Sequence, residues 1–196
     1  ISECLVGSEM CIRDRLATLP ADVRVFILRN EVKNFGSKDL FDSLLTASRQ
    51  TADASYKADI CDALTATTDP ELIKQLVVKF EDADTIKPQD LRAWFRGVLA
   101  NPAGEQAAWD WIRDEWSWLE ATVGGDMEFT TYITVISRVF HTAERLAEFK
   151  AFFEPKINTP GLTREIKMDT KVIASRVALV EDERDAVNAA VAEVVK

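Results

Sequence analysis

The sequence predicts an all-α chain of about ten helices, set as antiparallel pairs in a solenoid-like array. Three observations predict it. From Leu19 onward, apolar residues recur at helical spacing almost without a break. Glycine (7) and proline (6) are scarce in 196 residues, which argues against a turn-rich all-β fold. Helix-start signals recur roughly every 14–21 residues, so a two-helix unit recurs about every 33–40 residues, the period of a helical array. The units share no sequence repeat, so a compact irregular helical domain stands as the alternative packing.

The elements follow from caps and prolines. Pro20 opens the first helix, which carries Val23, Phe26 and Ile27. Gly36 breaks the chain, and Ser37 can cap a helix bearing Leu40, Phe41, Leu44 and Leu45. Asp53 can cap the next, with Tyr56, Ile60, Ala63 and Leu64 on one face. Asp69-Pro70 is a cap followed by a proline at the first helical position, ahead of Ile73, Leu76, Val77 and Phe80. Pro88 opens a helix with Leu91, Trp94, Phe95, Val98 and Leu99.

The next stretch, Asn101 to Trp118, holds four of the five tryptophans within ten residues. Asn101 can cap and Pro102 fits the first turn, so one helix is expected from there. Ala107, Ala108, Trp109, Trp111, Ile112, Trp116, Trp118 and Leu119 cover an arc of roughly 200°, against about 100° for an ordinary surface helix. Such a helix is expected to pack on two sides. Glu115 falls near the centre of that arc.

Gly124-Gly125 ends the segment, and Asp126 can cap a helix with Phe129, Tyr132, Ile133, Ile136, Val139 and Phe140. Thr142 can cap a short helix with Leu146, Phe149, Phe152 and Phe153, stopped by Pro155. Thr159-Pro160-Gly161 precedes a long helix with Ile166, Ile173, Val177 and Val180 on one face. Asp182 can cap a last helix, from Ala186 to Val195.

Residues 1–15, ISECLVGSEMCIRDR, lack this periodicity. They also lack the basic start and apolar core of a signal peptide. They resemble translated sequencing-adapter DNA and are set apart as a non-native leader. That leaves 16–196 as a single helical-repeat domain and implies a natural protein that extends further toward its N-terminus.

The formal net charge of −9 disfavours nucleic acid and anionic membrane as partners. No run approaches 18 apolar residues, the length of a membrane span. Cys4, Cys11 and Cys61 are odd in number and lack CxxC spacing, which points to neither a disulfide framework nor a zinc site. A reducing cytoplasm is the simpler setting, and Cys61 reads as a small buried residue.

The chemistry-bearing patterns are missing. One histidine, His141, cannot build a zinc site that needs three or four ligands. HExxH, GxSxG, GxGxxG and GxxxxGK[ST] do not occur. His141 reads as a surface or capping residue. Two polar features remain. Glu115, inside an apolar arc, needs an ionic or hydrogen-bonding partner, and Arg92, Arg96 or Arg138 is expected to bury against it. Arg92 and Arg96 lie one turn apart and flank Trp94 and Phe95. They read either as structural partners of Glu115 or as cations facing a concave cavity, where a guanidinium fork suits a peptide carboxylate.

The run Ile86 to Trp116, IKPQDLRAWFRGVLANPAGEQAAWDWIRDEW, resembles the C-terminal helical domain of the aminopeptidase N family of zinc metallopeptidases. The same domain ends the endoplasmic reticulum aminopeptidases. The shared features are Gln89-Asp90, a helix, Asn101-Pro102-Ala103-Gly104, and an aromatic-rich helix from Ala108-Trp109 to Trp116. Upstream, YKADICDALTATTDPELIKQLV is similar to the family's Thr-Asp-Pro-like turn between two helices, and downstream RLAEFKAFFEPK resembles its Phe-Phe helix. These are packing motifs rather than catalytic ones.

The resemblance implies a HEAT/armadillo-like array that caps a catalytic domain and closes an internal chamber. It implies that zinc, its ligands and the catalytic glutamate belong to an upstream domain, so this chain holds no catalytic residue, metal ligand or cofactor of its own. The implied partners are the catalytic domain of the same parent and a peptide substrate, with Arg92, Arg96 and Glu115 as candidate chamber residues. The alternative is a free-standing helical-repeat module that binds a protein or peptide.

Overall fold

The computed structural model describes residues 19–126 and 128–195. The leader assigned to residues 1–15, with Cys4 and Cys11, lies outside them. The described residues form ten α-helices and no strand. They divide into two compact units, the first ending at Thr122 and the second starting at Val123.

The first unit holds α1 (Ala21–Phe35), α2 (Lys38–Gln50), α3 (Ala54–Leu64), α4 (Pro70–Val78), α5 (Pro88–Ala100), α6 (Glu105–Asp114) and nearly all of α7 (Trp116–Val123). Local chemistry starts three of them as expected. Ser37 accepts a hydrogen bond from the Leu40 amide, Asp53 from Ser55 and Tyr56, and Asp69 from Glu71 and Leu72. Each satisfies amides that a helix start leaves without a partner. Helix α3 packs on α1, α2 and α5, and α6 packs on α4 and α5. Contacts to the next helix and the next but one are what stacked helix pairs produce.

Side-chain burial follows the expected faces in α2, α3 and α5, where every expected core residue is buried. Helix α1 differs. Its buried row is Arg24, Leu28 and Val32, while Phe26 is 71% exposed and Val23 is exposed as well. The reason lies on α3. Arg24 Nε donates to Asp59 at 2.6 Å, and its guanidinium sits 4.7 Å from the Tyr56 ring centroid. A buried cation needs such partners, and the pair turns the Arg24 row inward.

The tryptophan segment also differs, in two ways. Residues 101–104 form a turn, so the helix begins at Glu105 rather than Pro102. It then breaks at Glu115 (φ −104°, ψ 19°), and α7 starts at Trp116. An apolar arc of about 200° is too wide for one straight helix face, and two shorter helices divide it. The expected packing on two sides holds for α6. Trp109 is fully buried, and Trp111 meets Phe80 edge-on at 5.0 Å and Trp118 at 6.2 Å.

The second unit holds α8 (Thr131–Val139), α9 (Ala143–Phe153) and α10 (Thr163–Val194). Thr142 caps α9 as expected. Asp126 does not cap α8; it accepts from the Glu128 amide in a turn, and α8 starts later. Helix α10 packs on both α8 and α9 through Ile166, Ile173 and Val177. Buried Asp169 accepts from Thr134 and Ser137 of α8, and Arg176 donates to the carbonyls of Ser137 and Phe140, closing the end of α8. The expected start at Asp182 is absent, because α10 runs through it for 32 residues. No glycine or proline interrupts it, and an aspartate inside a helix costs only a few tenths of a kcal/mol.

Candidate functional site

Helices α3 and α5 approach closely at their C-terminal ends. A Cβ on Gly97 would stand 2.4 Å from Thr65 Oγ1, so this crossing requires glycine. Thr65 Oγ1 is held by donating to the Cys61 carbonyl at 2.8 Å. Asn101 follows α5 and ties the same corner. Its Nδ2 donates to the carbonyls of Thr65 (2.9 Å) and Thr67 (2.7 Å), and its Oδ1 accepts from the Ala103 amide. The side chain is thus a bracket between two helix ends rather than a helix cap. Gly104 completes the turn, since a Cβ there would stand 2.7 Å from the Val98 carbonyl oxygen.

Beside this corner lies a pocket of about 270 Å³. Arg29 and Lys33 of α1, Asp62 and Thr65 of the α3 end, and Arg96 and Asn101 line it. Three cations face one carboxylate, in a chain of formal net charge −9. A concave site with convergent guanidinium and ammonium groups suits an anionic ligand, and Arg suits a carboxylate through its planar fork.

The expected site residues do not gather here as a set. Arg96 is exposed and lines the pocket, whereas Arg92, one turn earlier, is half-buried on α5. Glu115 is half-buried rather than buried, because the helix breaks at this residue and the arc drawn for a continuous helix no longer applies. Arg138 is exposed. Arg113 of α6 pairs with Asp110, and among the described residues no ion pair involves Glu115. Arg29 and Lys33 were missed at the sequence level. Their spacing of four residues on one helix was visible, but their meeting with Arg96 depends on how α1 and α5 both pack on α3.

A smaller hollow of about 180 Å³ lies toward the N-terminal ends of α3 and α5, lined by Cys61, Trp94, Lys57 and Asp90 among others. Burial pushes the Cys61 thiol well above its ordinary range, and the Asp62 charge adds to this. A thiol held protonated is a poor nucleophile and a poor metal ligand. His141 is exposed, with Nδ1 at 2.8 Å from the Val139 carbonyl oxygen. Among the described residues no group of three or more His, Cys, Asp or Glu side chains could hold a metal ion. No helix among them is long and apolar enough to cross a membrane.

A family profile described as the ERAP1-like C-terminal domain matches residues 8–175. Aminopeptidase N of Lactobacillus helveticus is 60% identical over 182 residues, covering 93% of this chain and 22% of that protein. Aminopeptidase N of Lactococcus lactis subsp. cremoris (strain MG1363) is 37% identical over 183 residues, again 93% of this chain and 22% of the relative. Aminopeptidase M1 of Arabidopsis thaliana is 26% identical over 151 residues, 76% of this chain and 17% of its own length. The chain therefore spans about a fifth of the length of these relatives.

Proposed function

Because the chain belongs to the ERAP1-like C-terminal domain family and is the C-terminal domain of an aminopeptidase N, we propose that it covers the active-site chamber of a longer zinc aminopeptidase. In this reading the chain supplies no catalytic group. Zinc and its activated water belong to the preceding catalytic domain, and this domain limits the length of peptide that reaches them. The Arg96 pocket gives the role a chemical handle: three cations around one carboxylate attract the free carboxylate of a peptide.

The observation that carries the reading is the 60% identity to an aminopeptidase N across 93% of this chain and only 22% of the relative. The first test is the intact gene. An HExxH helix and a downstream glutamate ahead of Leu19 are expected, and a gene that starts near Leu19 would instead support a free-standing binding module. The second test is Arg96→Gln in the intact enzyme, assayed on peptides with free and with amidated C-termini. The expected result is a KM raised about fivefold for free acids, roughly 1 kcal/mol for one exposed charge-assisted contact, with amides unaffected. An unchanged ratio between acid and amide would remove the carboxylate from the proposal.

A further inference from the structure

The apolar seven-residue pattern of α10 continues past its last buried residue, Val177. Ile166 and Ile173 are buried, and the same seven-residue step continues through Val180, Val187 and Val194, with Val191 between the last two. From Glu181 onward every described residue of the helix is exposed, and Val187 and Val191 are each 55% exposed. Eight of the ten residues from Ala186 to Val195 are alanine or valine. A helix face that met only water would carry polar residues at these positions. This one presents a coiled-coil-like seam to solvent.

We propose that the Val180–Val194 seam of α10 is the docking strip for an α-helix of the preceding part of the same longer polypeptide. The inference rests on the reading of the chain as one part of an aminopeptidase, and the size of the strip selects the occupant. A row of four valines offers a few hundred Å², whereas a stable complex between separate molecules buries about 800 Å² on each side. A strip this small holds a partner that is tethered to it, because a tether supplies millimolar effective concentration. The relatives carry about four fifths of their length outside the region this chain matches. Charge selects against a second copy. Residues 181–185, Glu-Asp-Glu-Arg-Asp, carry a net charge of −3, with Arg184 on the seam between Val180 and Val187, so the docking helix carries an apolar stripe with an acidic residue opposite Arg184 and basic residues beside the stripe.

Hydrogen exchange of residues 178–194 tests this in the intact gene product and in the 196-residue chain. The expected result is exchange slowed at least about tenfold in the intact protein, with the protection removed by Val187→Asp/Val191→Asp. The same pair of changes should leave the melting temperature of the 196-residue chain unaltered, since both side chains are exposed there. Equal exchange in the two proteins overturns the proposal while leaving the chamber role intact. Sedimentation of the 196-residue chain that shows a dimer protecting residues 178–194 assigns the strip to a second copy and overturns it too. A gene that lacks a catalytic domain removes the chamber role and this inference together.

Discussion

The Asn101 side chain donates to the carbonyls of Thr65 and Thr67, while its oxygen accepts from the Ala103 amide. Thr65 and Thr67 are buried, so their carbonyls have little access to water as a substitute. Two neutral hydrogen bonds contribute about 1 kcal/mol each, and Asn101→Ala is expected to lower stability by about 2 kcal/mol. Asn101→Asp separates this account from a simple loss of packing. The aspartate keeps the shape and the acceptor for Ala103, but it turns a carboxylate oxygen toward two carbonyl oxygens. It should destabilise at least as much as alanine in urea unfolding at pH 7. An Asn101→Asp protein more stable than Asn101→Ala would show that the donated hydrogens are not what holds this corner.

Between elements, Asp42 links α2 to α4. Gln75 Nε2 donates to its Oδ1 at 2.7 Å, and Lys38 pairs with its other oxygen. The Lys38 hydrogen bond, ahead of a weaker opposing effect of burial and the added Gln75 bond, holds the Asp42 carboxyl below its ordinary range. A carboxyl depressed in the folded state stabilises above its unfolded pKa and loses that contribution as pH falls through its folded pKa. The side chain is 44% exposed, so solvent screening limits the ion pair to a few tenths of a kcal/mol. Asp42→Asn should therefore cost at most about 0.5 kcal/mol at pH 7, with the difference fading below the ordinary carboxylate range; a gap that widens in acid would contradict the pairing. Elements set by local chemistry were legible in the sequence. Ser37, Asp53, Asp69 and Thr142 cap because a side-chain oxygen and one or two nearby amides suffice. The inward face of α1 was not legible, because Asp59 and Tyr56 on another helix decide it. Nor was the break at Glu115, which depends on where four indoles find space. In the pocket, Arg96 could be picked out from its own helix, while Arg29 and Lys33 needed the packing of three helices.

At the scale of the whole molecule, the metal question separates this chain from the enzyme it is proposed to complete. A zinc site draws on three or four side chains held together, and the described residues bring no such group together. Residues outside them include Cys4 and Cys11, so the measurement has to read the entire chain. Zinc at a hundred times its dissociation constant would stabilise a folded site by about 2.7 kcal/mol. For a chain of this size that corresponds to a rise in melting temperature of roughly 5–10 °C. The expected outcome for the purified 196-residue chain is the same melting temperature with EDTA and with added zinc, and no cleavage of aminoacyl substrates in either. The intact gene product should lose its peptidase activity to EDTA and regain it with zinc, while its C-terminal helices melt at an unchanged temperature. A zinc-dependent rise of several degrees in the 196-residue chain would place a metal site in this chain after all, and the division of labour between a metal-bearing domain and a metal-free helical cover would fall with it.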